Sequence, residues 1–154
     1  MTIELALGIV GTITGLTSLS ILIWKTMQEK PIIKISDALL SLERKAEDKV
    51  VGSLSFNIDN LGDRPTTVTR VNVILGDHVE VIEGLRSISS HSSIRYPEKT
   101  DSELKLFTRY KEIRDLKIIV IHTHGTLEKI YKLPQISEWD KYALWKGGPL
   151  LLQP

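Results

Sequence analysis

Two histidines separated by one residue, His122 and His124, are the best metal-ligand candidates in the sequence. Side chains at positions i and i+2 of a strand point to the same side, and imidazoles at that spacing can chelate zinc or copper. The glycine after His124 favours a turn there instead, and no third ligand lies nearby. We therefore expect a surface histidine pair beside a hairpin tip, with no metal and no cofactor.

The segment SSHSS, residues 89–93, places serine beside histidine. Neighbouring residues point away from each other, however, and nucleophilic triads combine distant segments. Gly-x-Ser-x-Gly, glycine-rich phosphate loops and His-x-x-Glu motifs are absent from the sequence. Asp59, Asp63 and Asp77 flank turns, where either a loop calcium site or ordinary turn capping accounts for them. These patterns predict a protein that is not an enzyme and has no small-molecule substrate.

The charge pattern argues against nucleic-acid binding. The chain of 154 residues has a formal net charge of +1, and the basic Lys49, Arg64 and Arg70 have acidic neighbours. The sequence contains no cysteine, which excludes disulfides and favours a reducing compartment. A small β domain with mixed surface charge is the expectation.

An uncharged segment opens the chain. Residues 5–24 contain no Asp, Glu, Lys or Arg, and ten of these twenty residues are Leu, Ile or Val. Twenty helical residues span about 30 Å, the thickness of a bilayer's hydrocarbon core. Trp24 and Lys25 then match an interfacial anchor, whereas a signal peptide would need a basic region before its apolar part. The segment predicts a single-pass anchor, and the lysines that follow it predict a cytoplasmic C-terminal domain.

Small residues recur along one face of this predicted helix. Gly8, Gly11, Gly15 and Ser18 are spaced three, four and three residues apart, and Gly11 with Gly15 forms a GxxxG pair. Such a face lets a second helix approach closely, either an identical helix or another subunit. Glycine is also generally frequent in membrane helices, which is the alternative explanation.

Residues 31–133 contain several short strand patterns separated by turns. The clearest is VVGSLSFNIDN, which alternates between apolar and polar residues, and TTVTRVNVIL follows after a turn. We predict a short edge strand at VEVI, a short helical turn over residues 108–116 and a hairpin around His124 and Gly125. This spacing is typical of an antiparallel β-sandwich.

Residues 134–154 form the third predicted region, a capped amphipathic helix over residues 137–146 followed by the apolar tail PLLLQP. Trp139, Tyr142 and Trp145 recur at three-residue spacing and share one broad side of that helix. They suit a membrane interface, a groove on a partner or the chain's own sandwich. We favour docking on another protein or on the bilayer.

A membrane segment ending in tryptophan, a strand with basic flanks and the turn Asn60-x-Gly62-x-x-Pro65 before TTVTRVNV occur together. This combination resembles a diffuse group of uncharacterised prokaryotic membrane-anchored proteins with an immunoglobulin-like sandwich. The resemblance extends from residue 5 to about residue 133. It implies a mainly β fold behind an N-terminal transmembrane helix, and it implies no catalytic residue.

The sequence thus predicts a membrane anchor at residues 1–30, an immunoglobulin-like β-sandwich at residues 31–133 and a C-terminal helix and tail at residues 134–154. The expected role is that of a non-catalytic interaction or accessory subunit of the cell membrane. It would bind the lipid bilayer and would belong to a homo-oligomer or a larger membrane complex. The contacts would be made by the helix, the sandwich edge and the C-terminal aromatic residues. The alternative is an extracellular pilin-like filament protein assembled through the N-terminal helix.

Overall fold

The computed structural model describes residues 3–46, 48–98, 103–109, 113–134 and 146–152, and within the helix it describes the side chains of residues 11–25. The chain divides into two compact units, Met1–Lys30 and Pro31–Pro154. The first unit consists of one helix, α1 (Ile3–Gln28). In the part of the chain that the structure describes, no helix combines the length and the apolar character needed to cross a membrane.

The second unit is made of strands. They are β1 (Ile33–Ala46), β2 (Lys49–Asn60), β3 (Thr66–Leu75), β4 (His78–Ile88), β5 (Ser92–Tyr96), β6 (Leu104–Arg109), β7 (Asp115–His122), β8 (Gly125–Lys132) and β9 (Lys146–Leu151). All their pairings are antiparallel. The prediction of a mainly β chain with antiparallel sheets is therefore confirmed.

The strands form two sheets, which we call sheet I and sheet II. Sheet I has the order β5-β2-β1-β9. The strand β6 pairs with the same edge of β2 as β5 does, and the two strands take different halves of that edge. Sheet II has the order β4-β3-β7-β8. Their inward side chains form one hydrophobic cluster, consistent with a sandwich.

The strand β2 follows the predicted alternation. Its inward residues Val50, Leu54, Phe56 and Ile58 are at most 1% exposed. Phe56 stacks on Tyr96 of β5 with ring centroids 5.5 Å apart. Burial raises the pKa of Tyr96 above its ordinary value. The aromatic pair joins β2 and β5 on the inner side of sheet I.

Gly52 also faces inward on β2, and its lack of a side chain allows close packing. A methyl group built on it would lie 3.1 Å from Leu75 Cδ2 and 3.2 Å from Leu42 Cδ2. These distances are shorter than ordinary carbon contacts. Leu42 and Leu75 therefore fill the volume that a larger residue would need.

Three local predictions need correction. The expected helical turn over residues 108–116 is wrong in its described parts, because Thr108 and Arg109 belong to β6 and Leu116 lies in β7. The expected short edge strand at VEVI is the beginning of the longer β4, which is an edge strand of sheet II. The hairpin forms one residue earlier than expected: His122 pairs with Gly125, so Thr123 and His124 make the turn.

The end of the chain also differs from its prediction. Lys146, expected as the last helical residue, begins β9, and Leu150 and Leu151 of the expected apolar tail pair with Leu40 and Leu39 of β1. Most of the predicted C-terminal helix lies outside the described residues. Leu152 follows β9 and is only 8% exposed. The tail is therefore part of sheet I, where its backbone gains hydrogen bonds that a free tail would lack.

Candidate functional site

The surface of α1 is the first candidate site, because its described apolar side chains are exposed. Every side chain from residue 11 to residue 25 is exposed. The exposed fraction is 60% for Leu16, 63% for Leu22 and 64% for Trp24. Large apolar residues occur on all sides of this segment, since residues 21–24 alone cover a full turn. A helix that is apolar all round is typical of a fully covered environment.

Two polar side chains of α1, Thr17 and Ser20, form hydrogen bonds within the helix. Thr17 Oγ1 donates to the carbonyl oxygens of Ile13 and Thr14 at 2.9 and 3.0 Å. Ser20 Oγ donates to Leu16 O at 2.8 Å. Hydroxyls bonded to the preceding turn need no water, which lets them lie in an apolar medium at low cost. The outer surface of α1 is therefore more apolar than its sequence of threonines and serines suggests.

The predicted helix-packing residues share an open face. Among the described residues, no atom lies within 4 Å of a methyl group built on Gly11 or Gly15, apart from the helix itself. Ser18 is exposed as well, and the side of the helix at Gly8 lies outside the described side chains. The described part of this face, at Gly11, Gly15 and Ser18, therefore has no bulky side chain that would prevent the close approach of another helix.

The predicted interface residues fall in two places. Trp24 and Lys25 are exposed in the last turns of α1, as an interfacial anchor requires. Trp139, Tyr142 and Trp145 lie outside the described residues.

The two histidines, His122 and His124, belong to a hydrogen-bond network around one hydroxyl. His122 Nδ1 and His124 Nδ1 lie 3.2 and 3.3 Å from the same hydroxyl, Oγ1 of the buried Thr66. Burial, and secondly the nearby His124, lower the pKa of His122 below 6.5. Both imidazoles are occupied with a hydrogen-bond network, and the described residues contain no group of three or more His, Cys, Asp or Glu fit for a metal.

In the serine-histidine segment, His91 and Ser92 bond to different partners. His91 Nε2 lies 2.9 Å from Asp63 Oδ1, whereas Ser92 Oγ donates to Ser89 O at 2.8 Å.

The fully buried Asn60 organises this end of the sandwich. Its Nδ2 donates to Arg64 O at 2.6 Å and to Ser89 O at 3.1 Å, and its Oδ1 accepts from Gly62 N at 3.1 Å. The sequence motif around Asn60 is therefore a structural turn.

A cleft of about 510 Å³ lies at the opposite end of β2, and the residues that line it include Lys45, Lys49, Phe107 and Arg109. Phe107 is 59% exposed. Hydrogen bonds from Thr108 Oγ1 and then from the Arg109 amide hold the pKa of Asp77 below 3.8. Asp77 thus caps the β3–β4 turn and the end of β6. Sequence reasoning missed this cleft, because its residues come from three separate turns and strand ends.

The three basic residues considered in the sequence do not form one patch. Lys49 begins β2, Arg64 follows the other end of β2, and Arg70 Nη2 bonds Glu83 Oε1 at 2.7 Å on sheet II. An extended basic surface would be needed to follow a nucleic-acid backbone. These residues offer none.

Comparison with protein-family models gives no match for this chain. Comparison with curated proteins gives no match either.

Proposed function

We propose that the chain is a membrane-anchored, non-catalytic interaction subunit, in which α1 lies in the lipid bilayer and tethers the β-sandwich. One observation carries this proposal: every described side chain of α1 is exposed, although no charge occurs in residues 5–24. A lone helix with this surface in water would aggregate, because large apolar patches need a cover.

The length of the uncharged segment supports a span. The helical backbone runs for 26 residues, about 39 Å at the α-helical rise, and the uncharged part corresponds to about 30 Å. The fifteen residues with described side chains, 11–25, cover part of this length. The anchor thus remains a prediction that rests on the full run of residues 5–24.

The strand order supports the finer fold, an immunoglobulin-like sandwich. The pairing of β1 with β2 and of β2 with β5 and β6 matches strands A, B and E of such domains. The order β4-β3-β7-β8 matches the second sheet of a variable-type domain, with strands C′, C, F and G. The chain departs from antibody domains in having no cysteine for the inter-sheet disulfide.

The orientation that we propose places the sandwich in the cytoplasm. Lys25, Lys30 and Lys34 follow the uncharged run, whereas Glu4 precedes it. Lysines next to a membrane helix are retained on the cytoplasmic side. Protease added outside sealed cells is expected to spare the sandwich, and protease added to inverted vesicles is expected to digest it.

The anchor is tested by comparing two exposed leucines. Leu16 is 60% exposed in α1, and Leu85 is 81% exposed on β4. In the full chain, Leu16→Arg adds a charge that costs about 2.5–3.5 kcal/mol at the centre of a membrane helix. We expect this variant to be depleted from alkali-washed membranes, whereas Leu85→Arg stays with them.

Release of the unmodified chain by the alkaline wash would contradict the anchor, as would equal membrane retention of the two variants. A polymer of this chain released from the cell surface by shearing would support the pilin-like alternative instead.

The helix face is tested by the double variant Gly11→Leu and Gly15→Leu. We expect this double variant to stay in the membrane and to lose oligomer mass in mild detergent, because leucines prevent close helix approach.

A further inference from the structure

The outer face of sheet II has the composition of a covered surface. Inward residues on β3 and β7, such as Val71, Val73 and Ile118, are fully buried, so their neighbours along each strand point outward. Many of these outward neighbours are also aliphatic. The aliphatic members of this outer face are Ile74, Val79, Val81, Ile119, Ile121 and Ile130.

The strand register arranges the outer face in three rows across four strands. The rows are Val79, Ile74, Lys117 and Ile130; Val81, Asn72, Ile119 and Glu128; and Glu83, Arg70, Ile121 and Thr126. Half of these twelve positions carry β-branched aliphatic side chains. Val79, Val81 and Ile130 are 55%, 46% and 48% exposed. A continuous exposed surface of this kind is typical of an interaction site.

The charged residues of this face neutralise one another. Arg70 Nη2 lies 2.7 Å from Glu83 Oε1, and Lys117 Nζ lies 2.7 Å from Glu128 Oε1. Each cation is thus paired within the face, and no excess of either sign remains in the three rows. An identical face can approach without like-charge repulsion, whereas a strongly charged partner would find no complement.

Sheet I presents a different outer surface. Its outward positions on β1, β2 and β6 include Ser41, Ser53 and Lys105, which are neighbours in one row. Lys34 and Asp59 form another pair. The same side of sheet I also carries Phe107, Leu39 and Leu151, which are 59%, 38% and 56% exposed, so polar and apolar positions are mixed there. The outer face of sheet II differs in having β-branched aliphatic side chains at half of its twelve positions.

The edges of sheet II are poor sites for adding a strand. The β3–β4 register shifts between Val68 and Arg70, and Gly84 on β4 has a φ of 154°. On the other edge, the half-buried Lys129 lies with Nζ 6.0 Å from the ring centroid of Tyr131. Bulges and inward-pointing lysines both hinder edge pairing. Contact through the face is the remaining route.

We infer that the outer face of sheet II is the contact between two copies of this chain in the same membrane. Asn72 lies near the centre of the face, and its Oδ1 is buried and has no hydrogen-bond partner among the described residues, so it can accept a bond from outside only after the side chain rotates outward. A carboxamide both donates and accepts, so two Asn72 side chains related by a two-fold axis can satisfy each other after rotation. A second copy thus supplies both the apolar cover and the missing donor.

The size of the face explains why this contact rests on the proposed membrane anchor. Four strands about 4.8 Å apart and three rows about 7 Å apart give roughly 400 Å² on each copy. The total of about 800 Å² is below the 1,200–2,000 Å² of a stable interface. Confinement of both copies to one bilayer raises their effective concentration and compensates for the small area.

Cysteine cross-linking tests this contact, since the chain contains no cysteine. Ile119→Cys and Thr126→Cys place single thiols on the outer face of sheet II, and Ser53→Cys is the matched control on sheet I. Each purified full-length variant is reconstituted at low density in phospholipid vesicles and treated with a short bismaleimide. We expect dimers from the two sheet II variants and only collisional background from Ser53→Cys.

A second substitution tests the apolar surface itself. Val81→Lys combined with Thr126→Cys buries an unpaired charge in the contact, and we expect loss of the dimer to the Ser53→Cys background. Equal cross-linking of all three single-cysteine variants would overturn the inference, as would an unchanged dimer yield with Val81→Lys. Cross-linking of intact membranes that joins these thiols to a different protein would overturn it too.

Membrane association is measured on the same samples, which separates the two proposals. If the single-cysteine chains remain in alkali-washed membranes but give no specific dimer, the anchor stands and the sheet II contact is wrong. If the chains leave the membrane and still form dimers through Ile119→Cys, the anchor is wrong and the contact does not need it.

Discussion

The helix α1 and the core of the sandwich contain the same aliphatic residue types in opposite surroundings. Leu116 and Leu54 in the core are completely buried, whereas Leu16 and Leu19 in α1 are 60% and 53% exposed. In the sandwich, the chain itself covers its apolar side chains. In α1, the described side chains of residues 11–25 are exposed, so their truncation removes no buried contact of the sandwich. The same substitution is therefore expected to have different effects in the two regions.

The largest difference is expected for leucine truncation. Leu116→Ala removes a fully buried side chain and should lower the free energy of unfolding by about 2–5 kcal/mol. Leu19→Ala should leave the unfolding of the sandwich unchanged, because its side chain is exposed. Denaturant titration of the full chain in one detergent measures both. Equal destabilisation by the two variants would mean that α1 contributes to the folded core.

Loss of polar side chains is expected to give a smaller difference. Asn60→Ala leaves Arg64 O, Ser89 O and the Gly62 amide without their partner. We expect a loss of about 1–3 kcal/mol in the free energy of unfolding. In α1, Thr17→Ala removes a hydroxyl that bonds only its own helix, so the unfolding of the sandwich should not change. A midpoint for Asn60→Ala equal to that of the unmodified chain would contradict the turn-organising role of this residue.

Glycine substitution should have a still smaller effect, with a clear contrast between regions. Gly52→Ala forces Leu42 and Leu75 to move by a few tenths of an ångström and should destabilise the sandwich by about 1 kcal/mol. Gly11→Ala meets no described neighbour and improves helix propensity. Thermal unfolding of both variants checks this expectation. A sandwich that gains stability from Gly52→Ala would mean that the two leucines relax freely.

The smallest effect should be the pH dependence. The pKa of His122 is lowered in the folded chain, so the unfolded chain binds more protons below pH 6.5. The contribution of His122 to stability is present above pH 6.5 and is lost as the pH falls toward its folded pKa. We expect His122→Gln to reduce the decrease in unfolding midpoint between pH 7.5 and pH 5. Membrane association of α1 should not change in this interval, because residues 5–24 contain no titratable side chain of this range. A pH dependence that is identical with and without His122 would contradict this assignment.

The elements that could be predicted are those determined by neighbouring residues. The inward positions of β2 follow from strict alternation, and the Asn60 turn follows from turn chemistry. Ile113 and Leu116 are both buried, and their three-residue spacing fits a helix, but a loop residue and a strand residue supply them. The spacing of two buried residues thus did not distinguish a helix from a loop followed by a strand.

The missed features depend on contacts between distant residues. The strand β9 forms because Leu150 and Leu151 pair with β1, more than one hundred residues earlier in the chain. The outer face of sheet II becomes visible only when the register aligns Ile74, Ile119 and Ile130 across strands. The exposed surface of α1, in contrast, could be anticipated from its uncharged sequence. Local patterns thus identified the anchor candidate but not the second surface.

The position of β1 between β2 and β9 has a mechanical consequence. A force transmitted along the chain from α1 enters the sandwich at Ile33, the first residue of β1. Because the antiparallel hydrogen bonds to both neighbours lie across the strand, a pull along β1 loads both ladders in shear rather than opening them one bond at a time. The strand β1, which follows α1 in the chain, is thus the one whose extraction would require many hydrogen bonds to break together.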